Sequence, residues 1–245
     1  VSEIIVPFMA VIYIAISLLL LILNANKIPA AIVEIVSSAF GMRAAAGGAL
    51  GAIIVAMQKG IARGIFSNEA GLGSAPIAAA AAQTKEPARQ GLVTMTGTFI
   101  DTIVVCTMTG LSIVLTGSWN IGLEGVAVTT NAFQQGLPFA PQISAFLLMM
   151  CLVFFAFTTL LGNCFYCDNL LTYIHKSQPG RHFMMAFRVV CALVVFMGAG
   201  MEMSMLWNIS DVLMGVMAII NIPVIILLSN TALKALGDYE KQLKK

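Results

Sequence analysis

The sequence predicts an all-α protein built as a bundle of membrane-spanning helices, and three observations carry that prediction. Of the 245 residues, 59% are hydrophobic and only 10% are charged. The mean hydropathy is +0.94. Apolar runs long enough to cross a bilayer recur along the chain between short polar connections. Because a soluble domain carries far more charge, most of this surface is expected to face lipid or other helices.

Six stretches supply the roughly 20 apolar residues that a helix needs to cross about 30 Å of hydrocarbon. They are Ile4–Leu23, Gly51–Ala82, Gly91–Leu115, Ile143–Cys164, Met185–Gly200 and Trp207–Leu228. The stretch Ile28–Phe40 is shorter and carries Glu34, which favours an interfacial or re-entrant helix. We therefore predict a transmembrane domain over residues 1–230 and a charged, frayed cytoplasmic tail over residues 231–245.

Basic residues orient these spans, because lysine and arginine favour the cytoplasmic side. They are Lys85 and Arg89 after the second span, Lys176 and Arg181 after the fourth, and Lys234, Lys241, Lys244 and Lys245 in the tail. Residues 118–142 contain no lysine or arginine, and only the first connection, with Lys27 and Arg43, departs from the alternation. Both ends of this chain are therefore predicted to be cytoplasmic.

Charge and cysteine usage exclude several kinds of partner. The formal net charge of +2 is too small to favour nucleic acid. All five cysteines lie in or beside apolar runs, where we expect reduced thiols. Cys164 and Cys167 have metal-like spacing, but neither a second pair nor a nearby histidine completes four ligands. No cofactor is predicted from these residues.

The second stretch is too long for one straight helix, since about 30 residues at about 1.5 Å each exceed the hydrocarbon thickness. It contains the polar sequence SNEAGLG, Ser67–Gly73. Ser74 follows as a natural N-cap, with Pro76 in the next turn and an alanine run up to Ala82. We therefore predict a discontinuous helix, with non-helical backbone over Ser67–Gly73 and a second helix from about Ser74.

Non-helical backbone in a membrane must be buried in protein or line a wet cavity, because unpaired amides in lipid cost several kcal/mol each. Gly71 and Gly73 allow positive φ and close approach of a ligand. Free amides and carbonyls at such a break suit a carboxylate and a cation, so the pattern predicts the binding site of a secondary transporter. The alternative is a kinked span packed through Gly60 and Gly64.

The stretch GIARGIFSNEAGLGSAP, Gly60–Pro76, resembles the signature of the alanine or glycine:cation symporter family, and the likeness extends through KEPARQGL, FIDTIVVCTMTGL, FAFTTLLGN and WNISDVLMGVMAIINI. The resemblance implies a leucine-transporter-like fold of inverted repeats, of which this chain holds the last helix of the first repeat and all of the second. Because the chain also begins without methionine, we expect it to require a missing N-terminal half that supplies the partner broken helix.

The resemblance also implies site residues. Those expected to hold the substrate are Phe66, Ser67, Asn68, Gly71, Gly73, Ser74, Thr159 and Asn163. Phe66 would close over the substrate, and Asn163, which stands where some relatives have an aromatic residue, favours a larger or more polar amino acid. Thr158 and Thr159 would offer hydroxyl oxygens to sodium; the alternative is that they bond back to the preceding helical turn.

Four ionisable residues are predicted to serve gating or coupling. Asp101, near the middle of the third span, is expected to ligate an ion, relay a proton or hold the broken helix, with a structural hydrogen bond as the alternative. Glu69 could counter an ammonium group, join an ion site or pair with Arg63, and we favour a structural or gating role. An Arg63–Asp211 bridge would form an outer gate; the alternative is that Arg63 snorkels to the interface.

The sequence thus predicts a cation-coupled symporter of small neutral amino acids, alanine or glycine first, driven by sodium or protons in a prokaryotic inner membrane. Its partners would be the amino acid, the ion and the lipid bilayer, with sodium as coupling ion and no cofactor. The alternative is a non-transporting or channel-like membrane subunit. An enzyme is disfavoured, because no intramembrane histidine accompanies Glu69 and Asp101.

Overall fold

A computed structural model describes residues 2–39 and 49–244, and in that part of the chain every regular element is a helix. The α-helices are α1 Ser2–Leu23, α2 Ile28–Ala39, α3 Ala49–Asn68, α4 Ala75–Ala79, α5 Pro87–Thr98, α6 Thr107–Leu115, α7 Val126–Gly136, α8 Pro141–His175, α9 Arg181–Gly198 and α10 Met203–Leu243. Between α5 and α6 the chain is π-helical from Phe99 to Cys106. Phe40 and Arg43, used in the predictions above, lie outside the described residues.

Five helical segments within the described ranges are long and apolar enough to cross a membrane, which confirms a multi-pass helical protein. They are Glu3–Leu23, Pro87–Leu115, Pro141–His175, Arg181–Gly198 and Met203–Leu243. Each corresponds to a predicted span. The remaining predicted span, Gly51–Ala82, is divided between α3 and α4 and is not among the five.

Helix α10 is much longer than the apolar run that predicted it. The run ends near Leu228, yet the helix continues to Leu243, so the prediction of a frayed tail is wrong. Alanine, leucine, lysine, glutamine and glutamate in this segment are all good helix formers. Lys241 also pairs with Asp238 one turn earlier, with 3.3 Å between Nζ and Oδ1. Neither effect requires lipid, so hydropathy alone underestimates the helix; the cytoplasmic location of this segment stays a prediction.

Contacts within the chain define two compact units. The first comprises Val1–Ile61 and Phe99–Leu161, and the second comprises Ala62–Thr98 and Gly162–Lys245. In the first unit α1, α6 and α7 pack on one another, and α2 lies against α6. Its core includes the fully buried side chains of Leu20, Phe133 and Leu148. In the second unit α5 contacts α10, and the connection between α3 and α4 also lies against α10.

Helices α1 and α7 of the first unit approach closely at Gly136. A Cβ atom on Gly136 would lie 2.6 Å from Cγ of Leu20, which is fully buried. We expect Gly136→Ala to lower the unfolding free energy of the full-length protein by about 1–3 kcal/mol, because the helices must move apart. Denaturant unfolding in detergent checks this. The loss should shrink in a Leu20→Ala background, and an equal loss in both backgrounds would contradict the packing argument.

Candidate functional site

Helix α3 ends at Asn68 in a Schellman motif. The amide of Glu69 donates to the carbonyl of Phe66, and the amide of Ala70 donates to the carbonyl of Ile65. The Asn68 side chain donates to the Gly64 carbonyl at 3.0 Å, which extends helical bonding to the last residue. The prediction that Ser67 and Asn68 are non-helical is therefore wrong, because these bonds keep both residues in α3.

The connection between α3 and α4, Glu69–Ser74, is called here the interval. Three of its residues have left-handed backbone: Glu69, Gly71 and Gly73, with φ of +50°, +78° and +84°. Glycine adopts this conformation freely, whereas for other residues it costs roughly 1–2 kcal/mol. The sequence supplies glycine at two of the three positions, as predicted. Glu69 occupies the motif position where glycine is usual, so other contacts must stabilise it there.

Those contacts come from two hydroxyl groups. The Ser74 hydroxyl donates to Oε2 of Glu69 at 2.6 Å, and the Tyr166 hydroxyl donates to Oε1 at 3.4 Å. Of the roles left open for Glu69, pairing with Arg63 is not observed, because Arg63 pairs with Asp211 instead. The carboxylate thus ties the end of α3 to the start of α4 and to α8.

Ser74 stands at the N-cap position of α4, but its hydroxyl accepts no capping hydrogen bond from the helix and instead donates to Glu69. Helix α4 is also shorter than the alanine run predicted. Beyond Ala79 the amides of Ala81 and Ala82 bond to carbonyls only three residues earlier. A helix this short has not recovered the cost of its first turn, and alanine propensity alone does not extend it.

The Ser74–Glu69 hydrogen bond gives a first test of the interval. We expect Ser74→Ala to lower the unfolding free energy by about 1.5–3 kcal/mol, the usual contribution of a hydrogen bond to a charged group. Ser229→Ala is the matched control, since its hydroxyl bonds only within its own helix, to the Ile226 carbonyl. Unfolding of both variants in detergent decides the matter, and equal effects would show that the Glu69 carboxylate does not depend on Ser74.

One to two turns before the interval, a charged and aromatic cluster joins α3 to α10. Arg63 Nη2 lies 2.9 Å from Asp211 Oδ2, so the predicted ion pair is present. The Arg63 guanidinium also lies over the Trp207 ring, 3.8 Å from its centroid, and Phe66 meets that ring edge-on at 5.3 Å. Both charged side chains are 32% exposed. Cation–π stacking and the ion pair therefore hold Arg63 in one orientation, against the snorkelling alternative.

Asn221 of α10 contacts the interval, and the sequence did not predict this contact. Its Nδ2 donates to the Gly71 carbonyl at 3.0 Å. A Cβ atom on Gly73 would lie 3.1 Å from both Cγ and Oδ1 of Asn221. For Asn221 the available signal was its position as the lone asparagine within the apolar run AIINIPVI, where a polar side chain needs a partner. The contact of Tyr166 with Glu69 was not predicted either.

Thr158 and Thr159 both bond back to their own helix. Their hydroxyls donate to the carbonyls of Phe154 and Phe155, each at 2.9 Å. This is the alternative arrangement, yet it leaves oxygen lone pairs available, because a hydroxyl that donates its proton still accepts or ligates. Asn163 lies farther along α8 with an exposed side chain, one turn before Tyr166. Their predicted roles stay predictions.

Asp101 lies in the π-helical segment Phe99–Cys106, and its side chain is half-buried. A π-helical turn holds one more residue than an α-helical turn, and such turns occur frequently at functional sites. No local pattern in the sequence predicted it. The roles proposed for Asp101 are unchanged by this observation.

The chain matches known transporters over its whole length. The model of the sodium:alanine symporter family covers residues 1–245. An uncharacterized transporter of Haemophilus influenzae is 48% identical over 245 residues, which are 99% of this chain and 52% of that protein. The sodium/alanine symporter AgcS of Methanococcus maripaludis is 43% identical over 251 residues, 100% of this chain and 53% of its own length. The probable sodium/glutamine symporter GlnT of Bacillus subtilis is 38% identical, over 99% of this chain and 49% of its own. The chain thus spans about half the length of these relatives.

Proposed function

Because the chain belongs to the sodium:alanine symporter family, we propose that the protein containing it carries a small neutral amino acid across a membrane together with sodium. The family and the named relatives are transporters rather than enzymes. Two relatives bear names that refer to alanine and glutamine. Alanine or glycine is the first substrate proposed here, and the polar Asn163 favours testing serine and glutamine beside them.

The observation that carries the proposal is the end of α3 at Asn68, inside the family-like stretch Gly60–Pro76. The left-handed residues of the interval turn successive peptide groups away from helical bonding. Apolar sequence continues on both sides of it, so we place the interval within the bilayer as the break of a discontinuous helix in a leucine-transporter-like fold.

At this break we propose that the substrate binds through short side chains and the main chain. The residues involved are Phe66, Ser67, Asn68, Gly71, Gly73 and Ser74, with Thr159 and Asn163 from α8. Phe66 would cover the substrate from its position against Trp207. Glu69 is expected to act structurally, since both of its carboxylate oxygens accept hydroxyl hydrogen bonds.

We propose that the coupling ion binds at Thr158 and Thr159. Sodium is a hard cation that prefers oxygen ligands. Both hydroxyls direct their protons to helix carbonyls, so their lone pairs can face a cation. Asp101 would assist the coupling from its π-helical segment. Sodium can drive transport only through its differential affinity for the two conformations of the carrier.

Arg63 and Asp211 would form the outer gate. A gate must be stable when closed and separable when open, and a pair that is one-third exposed meets both conditions. Stacking on Trp207 returns Arg63 to the same position at each closure. In this scheme the carrier lies in a prokaryotic inner membrane, with both ends of this chain in the cytoplasm.

The decisive experiment is uptake of labelled alanine by full-length protein in proteoliposomes. An inward sodium gradient should drive uptake above the external concentration, and a sodium ionophore should abolish it. Uptake driven equally well by a proton gradient in the absence of sodium would show that the coupling ion is the proton. Equilibration without concentration would favour the channel-like alternative, and no uptake at all would favour the non-transporting one.

The ion site has its own matched control. Thr158→Val and Thr159→Val remove one hydroxyl each without changing side-chain shape, and should raise the sodium concentration for half-maximal uptake at least about tenfold. Thr172→Val on the same helix removes a hydroxyl that bonds back in the same way, to the Asp168 carbonyl, and should have no such effect. Equal sodium dependence in all three variants would show that sodium does not bind at Thr158 and Thr159.

A further inference from the structure

Asn221 lies on α10, far along the chain from the interval it contacts. We propose that Asn221 is a positioning residue that holds the interval in the conformation that binds substrate, so that α10 sets the affinity of the site. The inference rests on the proposed function and extends it to a residue on another helix. It is carried by two contacts, one at Gly71 and one at Gly73.

The first contact is the hydrogen bond from Asn221 Nδ2 to the Gly71 carbonyl, 3.0 Å long. Gly71 is left-handed, with φ of +78°, and lies beyond the end of α3 at Asn68, so its carbonyl is outside the hydrogen bonding of that helix. A carbonyl in apolar surroundings needs a donor, and a half-buried asparagine amide supplies one. Without that donor, rotation of this peptide group towards another hydrogen-bond partner would lower the free energy of the interval.

The second contact is steric. The Asn221 amide group lies so close to Gly73 that a Cβ atom there would be 3.1 Å from Cγ and Oδ1. The next residue, Ile222, lies 3.7 Å from the Cβ position of Gly71. Asn221 and Ile222 therefore restrict both glycines whose freedom would otherwise let the interval change shape. The side chains of Asn221 and Ile222 thus limit the backbone flexibility that Gly71 and Gly73 give to the interval.

The same helix holds the interval at a second point. Trp207 and Asp211 contact Arg63 nearly two turns before the interval, and Asn221 contacts the interval itself. Helix α10 therefore touches the segment on both sides of the α3 terminus. Pro223, two residues beyond Asn221, lies inside α10 and removes one helical hydrogen bond there. A bend of α10 at this turn would withdraw the Asn221 amide and release the interval.

Loss of the Asn221 contacts would weaken substrate binding rather than lower the maximal transport rate. If the interval is in its binding conformation only a fraction of the time, the apparent dissociation constant rises by the reciprocal of that fraction. The maximal rate is reached at higher substrate concentration but is otherwise retained. A residue with a merely structural role would lower the amount of folded protein without this split.

The test compares Asn221→Leu and Asn221→Asp with Asn230→Leu, all in the full-length protein. Leucine keeps the size of the side chain without a donor, and ionised aspartate keeps its shape while presenting only acceptors. Asn230 lies on the same helix with an exposed side chain and serves as the control. Hydrogen exchange of the peptide covering residues 67–75 is measured in detergent without substrate, beside alanine binding and uptake.

Both Asn221 variants should exchange at least about fivefold faster over residues 67–75, and bind alanine at least about fivefold more weakly with a maximal uptake rate within about twofold of the unmodified protein. Asn230→Leu should change neither quantity. Unchanged exchange in Asn221→Leu, or faster exchange with unchanged affinity, would overturn the proposal. If the unmodified protein binds no amino acid, the proposed function fails and the exchange result alone still decides whether Asn221 holds the interval.

Discussion

Gly73→Ala should lower the unfolding free energy of the full-length protein by about 2–5 kcal/mol, the largest loss expected from any single methyl group in the interval. Two effects add. Gly73 has φ of +84°, which alanine adopts only at a cost, and the new Cβ would lie 3.1 Å from the Asn221 amide. Asn221 is itself held by the Gly71 carbonyl, so it cannot move away freely. Unfolding in detergent measures the stability, and alanine uptake should fall with it.

Gly71→Ala separates the two effects. Its φ of +78° gives nearly the same backbone strain, but the nearest atom to its Cβ position, in Ile222, is at an ordinary 3.7 Å. We expect it to cost only the strain, about 1–2 kcal/mol. In an Asn221→Ala background the cost of Gly73→Ala should approach that of Gly71→Ala. Equal costs at the two glycines in the unmodified background would contradict the steric contact.

Asp211→Ala should cost about 1.5–3 kcal/mol of stability and abolish concentrative uptake, because it leaves Arg63 charged, stacked on Trp207 and without its counter-ion. Among the described residues Arg63 Nη1 and Asp211 Oδ1 have no hydrogen-bond partner, and Asp211 is the carboxylate with which Arg63 forms its ion pair. Asp211→Asn keeps the shape and should recover part of the loss. Arg63→Lys keeps the charge but loses planar stacking, and should fall between the two.

The control for this pair is the exposed one at the end of the same helix. Lys241 and Asp238 are 79% and 71% exposed, so Asp238→Asn should change stability by less than about 0.5 kcal/mol. Unfolding and sodium-driven uptake are measured for all four variants. A comparable effect of Asp238→Asn and Asp211→Asn would mean that the Arg63–Asp211 pair contributes no more than an ordinary surface contact.

The elements that depend on local sequence, such as apolar length and glycine at left-handed positions, were predicted correctly. Apolar length located five candidate spans, and the glycines at 71 and 73 marked left-handed backbone. Helix ends were less predictable: α8 was expected to stop near Cys164 but continues to His175, although Asp168, Asn169 and Thr172 beyond the apolar run are weak helix formers. The π-helical segment around Asp101 was also missed, since no side-chain period encodes a change of backbone register.

Contacts between distant residues were predicted only where charge demanded them. Arg63 and Asp211 are 148 positions apart, yet two opposite charges in apolar helices have few other partners, and their pairing was one of the two arrangements considered for Arg63. Asn221 and Gly71 are 150 positions apart and neutral, and an asparagine amide in one helix does not identify which carbonyl it will bond. The left-handed Glu69 was missed for the same reason, because its stability depends on Ser74 and on Tyr166 of another helix.

The length of α10 gives the turn around Asn221 a mechanical consequence. Beyond Pro223 about 20 residues of uninterrupted helix reach Leu243, a rod of about 30 Å. A bend of roughly 10° at the proline would swing the tip of that rod by about 5 Å, several times the displacement at Asn221 itself. If α10 bends there, its far end would act as a lever whose pivot lies beside the interval, and a spectroscopic label on its last turn would report small rotations of that turn at magnified scale.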